Sequence, residues 1–271
     1  MMRKLLAALP LIAILFSACS TNNVTEDNSL GRFFDSAGVK GCFALYDNGQ
    51  GRFTIYNLPR YRDTAYPAGA TFDILQSLIA LQTGTLSNEK SRFVQLSDTS
   101  AAKSTISLQE AFTSRNGPLN LAAFQTLTKN IGKDTLRKWV DSVHYGNQDI
   151  GGPLDSCWFD GHLRIPADQQ LGLIKKLYFN QLPFFNRTQE IVRDIMTRES
   201  NTNYKLVYKT ALVPNGSHYL GWALGWVEEN KHPYFFAMNY DLPAPPANTD
   251  DIGIQIVKHI LPSMGFFDGK K

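Results

Sequence analysis

The sequence predicts an α+β fold in which an antiparallel sheet, built from both chain ends, packs against a helical middle. Three observations carry this. Near the start, Gly41 to Asp47 is an apolar run and Arg52 to Asn57 alternates polar with apolar. Two such runs around Asp47-Asn48-Gly49 read as a β-hairpin. From Ser107 to Arg198 the apolar spacing is mostly helical. From Tyr204 onward, aromatic-rich strand-like runs return. Strands, a helical block and strands again place both ends in one sheet.

In order along the chain, the first element is a processing segment. Arg3 and Lys4 supply a positive start, Leu5 to Phe16 is apolar, and Ser17-Ala18 leads into Cys19. The apolar run is too short to span a bilayer as a stable helix. The pattern is that of a bacterial lipoprotein signal over residues 1–18, with Cys19 as the lipidated first residue of the mature chain. The alternatives are a plain secretory peptide cleaved nearby and an uncleaved anchor. Residues 19–30 read as the lipidated start and a tether, since Ser20 to Asn28 is polar and free of aromatics. Residues 31–271 form one domain. This places the protein in the cell envelope, facing the periplasm or the cell surface.

Thr71 to Gly84 is helical, with Ile74, Leu75, Leu78, Ile79 and Leu81 on or near one face. Helices follow over Leu121 to Ile131, Lys133 to Val143, Ala167 to Phe179 and Thr188 to Thr197, with Gly151-Gly152-Pro153 as a break. Strands are read at Tyr204 to Ala211, His218 to Glu228 and Pro233 to Asn239, and a closing helix at Asp251 to Leu261.

The chain has 271 residues, with 27 basic against 24 acidic side chains. Removal of the first 18 takes away Arg3 and Lys4 and leaves 253 residues, near charge balance. That length supports a large core. The balance gives no electrostatic case for nucleic acid. The five histidines are dispersed, and no Cys/His cluster has zinc spacing, so no metal and no cofactor is expected. Cys42 and Cys157 either pair in an oxidising compartment or serve as small buried apolar residues; their aromatic neighbours favour the second.

Tyr66-Pro67-Ala68-Gly69-Ala70-Thr71-Phe72-Asp73 precedes the helical Ser77-Leu78-Ile79-Ala80-Leu81. Later come Phe124-Gln125, Ile131-Gly132, Tyr145-Gly146-Asn147, Trp158, Lys209-Thr210-Ala211, Gly221-Trp222 and Gly225-Trp226-Val227-Glu228. This ordered series, over nearly all of the mature chain, resembles the class D β-lactamases and the related β-lactam sensor and penicillin-binding domains. In that family the first segment reads Pro-Ala-Ser-Thr-Phe-Lys. Its serine attacks a carbonyl, and its lysine, carboxylated in class D enzymes, acts as base.

The resemblance puts Ala70 at the serine and Asp73 at the lysine. A methyl group cannot attack, and a carboxylate cannot become a lysine carbamate. Ala is a good helix former, and an Asp in the first turn is favoured by about 0.3–1 kcal/mol, so both substitutions also suit structure alone. The second motif has two registers, one placing Arg115 and the other Leu119 at its serine; Ser114-Arg115-Asn116 fits by pattern but reads as a loop. The third motif implies a ligand-facing strand of Lys209, Thr210, Ala211 and Leu212, with the family glycine replaced by Ala211. Class D enzymes clamp the lactam carboxylate with a later arginine, and no arginine follows Arg198. Lys209 or Lys258 supplies charge there, without the fork geometry. Trp158 lies near the modified lysine in the family, whereas its context here favours core packing.

These residues imply a pseudoenzyme that binds a β-lactam-like or peptidoglycan-derived ligand, or an envelope protein partner, through the old cleft. Two alternatives stand beside it. One is an acyl-transfer enzyme of the same superfamily with a displaced nucleophile, Ser77 or Ser114. The other is a structural module whose cleft is closed by its own side chains.

Overall fold

The computed structural model describes residues 23–95, 104–113, 118–244 and 251–271. In chain order the elements are β1 (Val24–Glu26), α1 (Gly31–Ser36), β2 (Lys40–Asp47), β3 (Arg52–Tyr56), α2 (Leu58–Asp63), β4 (Ala65–Pro67) and α3 (Asp73–Gln82). A helical block follows, with β5 (Arg92–Gln95), β6 (Ser104–Ser107), α4 (Leu108–Thr113), α5 (Pro118–Ile131), α6 (Lys133–Ser142), β7 (Arg164–Pro166), α7 (Ala167–Tyr178) and α8 (Asn186–Met196). The chain then returns through β8 (Thr197–Ser200), β9 (Lys205–Asn215), β10 (His218–Glu229), β11 (His232–Leu242) and α9 (Ile252–Ser263).

Among the described residues the main sheet has the order β1-β3-β2-β11-β10-β9-β8. It is antiparallel except where β1 joins β3 in parallel. The two chain ends meet at β2 and β11, with Asp47 opposite Tyr234 and Ala44 opposite Ala237. The predicted architecture is therefore the observed one.

Both sheet faces are covered. Side chains alternate across a strand, so successive residues enter different layers. On β11, Phe235 and Ala237 join the helical block, while Tyr234, Phe236 and Met238 face α1 and α9. On β10, Trp222, Leu224 and Trp226 face the block, while Ala223 and Val227 face α9. Strands buried on both faces read as continuous apolar runs. Gly225 is required by closeness rather than by dihedral angle: a Cβ there would lie 2.0 Å from the Val207 carbonyl oxygen on β9.

Two local differences from the sequence reading have physical reasons. Val24–Glu26 lies within the predicted tether, yet it adds an edge strand to β3, with Val24 opposite Phe53. An edge strand needs backbone partners more than apolar side chains. Between and around the predicted helices, the pairs β4–β7 and β5–β6 are short extended segments, of which β7 falls inside the block read as helical; all are too brief to leave a period.

Cys42 and Cys157 are both free and buried. Burial pushes the Cys42 thiol up to about 11 and the Cys157 thiol up to about 12. In a Cys19→Ser variant, neither thiol should react with a disulfide reagent at pH 8 until the protein unfolds, when two should titrate. A raised acid pKa favours the fold below the unfolded thiol value of about 8.5. This contribution is lost as pH rises towards about 11. Gly225→Ala should cost about 1–3 kcal/mol by overpacking. Gly172→Ala, inside α7 with nothing within 4 Å of the new methyl, should instead gain about 0.5–1 kcal/mol. Denaturant unfolding of both variants checks the contrast.

Candidate functional site

The site begins where β4 ends. Gly69 has φ +55°, a conformation open to glycine at little cost. Its N–H donates to the Trp158 carbonyl at 2.7 Å. Trp222 Nε1 donates to the Pro67 carbonyl at 2.9 Å and ties the same turn to the sheet. A 3-10 turn over Gly69–Phe72 then leads into α3. Ala70 is half-buried and packs against the core. Phe72 is buried, its ring 5.8 Å from Trp158 and 5.2 Å from Tyr145. Trp158 is thus a core residue that carries the turn.

Asp73 starts α3 and Lys209 lies in mid β9. Lys209 Nζ approaches Asp73 Oδ2 at 2.8 Å, with the two side chains 3% and 1% exposed. Asn120, on α5, donates to the same oxygen at 3.3 Å and to the Ala111 carbonyl at 2.6 Å. Lys209 also donates to the Phe112 carbonyl at 3.3 Å, and its ammonium lies 4.4 Å from the Phe112 ring centre. Burial pushes the Asp73 carboxyl above, and the Lys209 ammonium below, the ordinary range, each opposed by its partner. The pair is neutral as a unit wherever its proton sits.

The hydroxyls nearby are also committed. Thr71 is fully buried; its Oγ1 donates to the Ala68 carbonyl at 2.6 Å and accepts from Gln170 Nε2 at 2.6 Å. Ser77 is fully buried and donates to the Asp73 carbonyl at 2.7 Å. Neither has a general base on its oxygen. Ser114, Arg115 and Asn116, and the side chain of Leu119, lie outside the described residues.

The sheet divides the residues expected to line one ligand-facing strand. Lys209 and Ala211 are buried on the face towards the helical block. Leu212 packs in the layer of α9, and Thr210 bonds to the half-buried Asp251 carboxyl before that helix. Lys258, on α9, pairs with Glu199 and does not join Lys209. Alternation along an extended strand makes this division unavoidable.

Sequence reasoning singled out Asp73 and Lys209 separately and missed that they meet. The available signal was a lone charge inside each of two apolar runs, which calls for a partner. It also missed Asn120 and the buried Thr71–Gln170–Tyr145 chain, in which Gln170 Nε2 reaches the Tyr145 hydroxyl at 3.4 Å. These are ordinary polar residues whose role exists only in three dimensions.

The profile of the penicillin-binding protein transpeptidase domain matches residues 41–261. β-Lactamase OXA-48 of Klebsiella pneumoniae is 32% identical over 241 residues, covering 87% of this chain and 88% of the relative. The class D β-lactamase YbXI from Nostoc superposes with a TM-score of 0.79 at 31% identity, over 89% of this chain and all of that one. The C-terminal domain of the Bacillus licheniformis BlaR penicillin receptor gives 0.81 at 27% identity, over 91% of this chain and 98% of that one. With one sheet from both chain ends, a helical block between them and this extent of likeness, the chain belongs to the superfamily of class D β-lactamases and penicillin-binding transpeptidase domains.

Proposed function

We propose that the chain is a non-catalytic, lipid-anchored envelope member of this superfamily, one that acts by binding rather than by acyl transfer. The observation that carries this is the Asp73–Lys209 pair. The carboxylate at the position of the family base is neutralised by the lysine of the third motif, and the preceding turn presents the Ala70 methyl group. A lysine spent on a buried aspartate is not free to meet a ligand carboxylate. This favours an envelope protein partner over a β-lactam-like or peptidoglycan-derived acid, with the surface around half-buried Ala70 as the contact. The likeness to a penicillin-receptor domain supports binding as a use of this scaffold. The displaced-nucleophile reading loses Ser77 to burial, and its other candidate, Ser114, lies outside the described residues.

Mass spectrometry of the folded protein after incubation with excess penicillin should show no covalent adduct. A gain of one penicillin, mapped to a hydroxyl, would overturn the proposal. The pair itself is tested by a double-mutant cycle. Asp73→Ala or Lys209→Met alone should cost about 3–5 kcal/mol, and an apolar double replacement should recover much of it. A Lys209→Met variant of unchanged stability would show instead that this lysine is available to ligands.

A further inference from the structure

We infer that the end of the molecule bearing the β2–β3 and β10–β11 turns is the face that rests on the lipid bilayer. This rests on the lipid-anchor reading of Cys19 and adds an orientation to it. The chain enters the domain at this end. Asn23 Nδ2 donates to the Gly51 carbonyl at 3.2 Å, and Phe53 N donates to the Asn23 carbonyl at 2.7 Å. From Cys19 to Asn23 is four residue steps, a reach of at most about 14 Å. An anchor that short holds this end against the membrane surface.

The chemistry of the end suits that position. Among the described residues the exposed large hydrophobics are Phe179, at 38%, and Phe185, at 70%. Phe179 directly follows Tyr178, the last residue of α7, whose hydroxyl bonds to Glu228 at the end of β10 at 2.6 Å, whereas Phe185 sits by the end of α3, its N–H donating to Gln82 at 2.9 Å. The Phe179 ring lies 5.9 Å from Phe235, which is in register with Tyr46 near the first turn.

The charges at this end are sorted by direction. Arg52, Lys231, Lys270 and Lys271 are exposed. Asp47 accepts from the Gly49 and Gln50 amides inside its own turn and approaches His232. Glu229 is buried and accepts main-chain N–H groups of Phe267, Lys270 and Lys271. The exposed Asp268 is paired with Lys270. Beside the chain entry, a cleft of about 270 Å³ is lined by Arg52, Lys271 and Asp47, with half-buried Phe53 and the buried Tyr234 and Phe266 beneath them. Exposed cations suit anionic headgroups, and exposed Phe179 offers apolar surface to the acyl boundary below them.

The turn between β9 and β10, with exposed Ser217, lies at the far end of the 12-residue β10, about 40 Å away. The test uses the full acylated protein in vesicles of equal parts phosphatidylethanolamine and phosphatidylglycerol. A thiol-reactive fluorophore is placed at Gln50→Cys, Lys231→Cys or Ser217→Cys; the native thiols at 42 and 157 are buried. Headgroup spin-labelled lipid should quench the first two several-fold more than the third. Equal quenching at all three, with acylation of Cys19 confirmed by mass, would overturn the orientation and leave the anchor intact. A protein without that acyl mass would remove the anchor reading and the orientation with it.

Discussion

The structure depends on a buried charge pair between its two halves. Asp73 opens the first long helix after the β4 turn, and Lys209 stands in the middle of β9. Their contact fixes how α3 sits on the sheet. Asn120 and the Phe112 carbonyl bring α5 and α4 to the same point. Desolvation of two charges costs several kcal/mol per ion, so such a pair adds little over an apolar replacement, while loss of one partner is severe. The constraint therefore falls on co-occurrence: either residue alone is a liability, and both together are a joint.

That joint decides what the neighbouring groups can do. A serine-and-lysine site needs one group able to attack and another able to hold its proton. Here the hydroxyls beneath the turn bond within the fold instead, while the buried Gln170 Oε1 and Asp73 Oδ1 have no hydrogen-bond partner among the described residues. Thr71 lies between the Ala68 carbonyl and Gln170, Ser77 is turned back onto its own helix, and Trp158 holds Gly69 through its carbonyl. The turn over Gly69–Phe72 is held from below through the Gly69 N–H and the Thr71 hydroxyl.

Most of the fold was legible because its signals are local. The Asn48-Gly49 hairpin, the apolar face of α3, the helices α5 to α8 and the aromatic strands β9 to β11 each carry their own period or turn chemistry. Family order then placed them in one architecture. The site was legible residue by residue but not as a constellation. Asp73 was well explained as a first-turn acid, and nothing local says that its partner lies on β9. Strand alternation did contain the separation of Lys209 from Thr210, since adjacent strand residues point to opposite faces. The edge strand at Val24–Glu26 was missed because its stability comes from the free backbone of β3, not from its own composition.

The pairing of β2 with β11 also sets an order of events. Asp47 finds Tyr234, and Gly41 finds Tyr240, across almost the whole domain. The N-terminal hairpin has one long edge that nothing in the first two hundred residues completes. Contacts of such sequence separation form slowly, because the loop must close before they reward it. While the chain is being made or moved, its apolar first strands wait with an open edge, a state prone to wrong pairing. Closure of the sheet only when the last strand arrives is the order of events this topology favours.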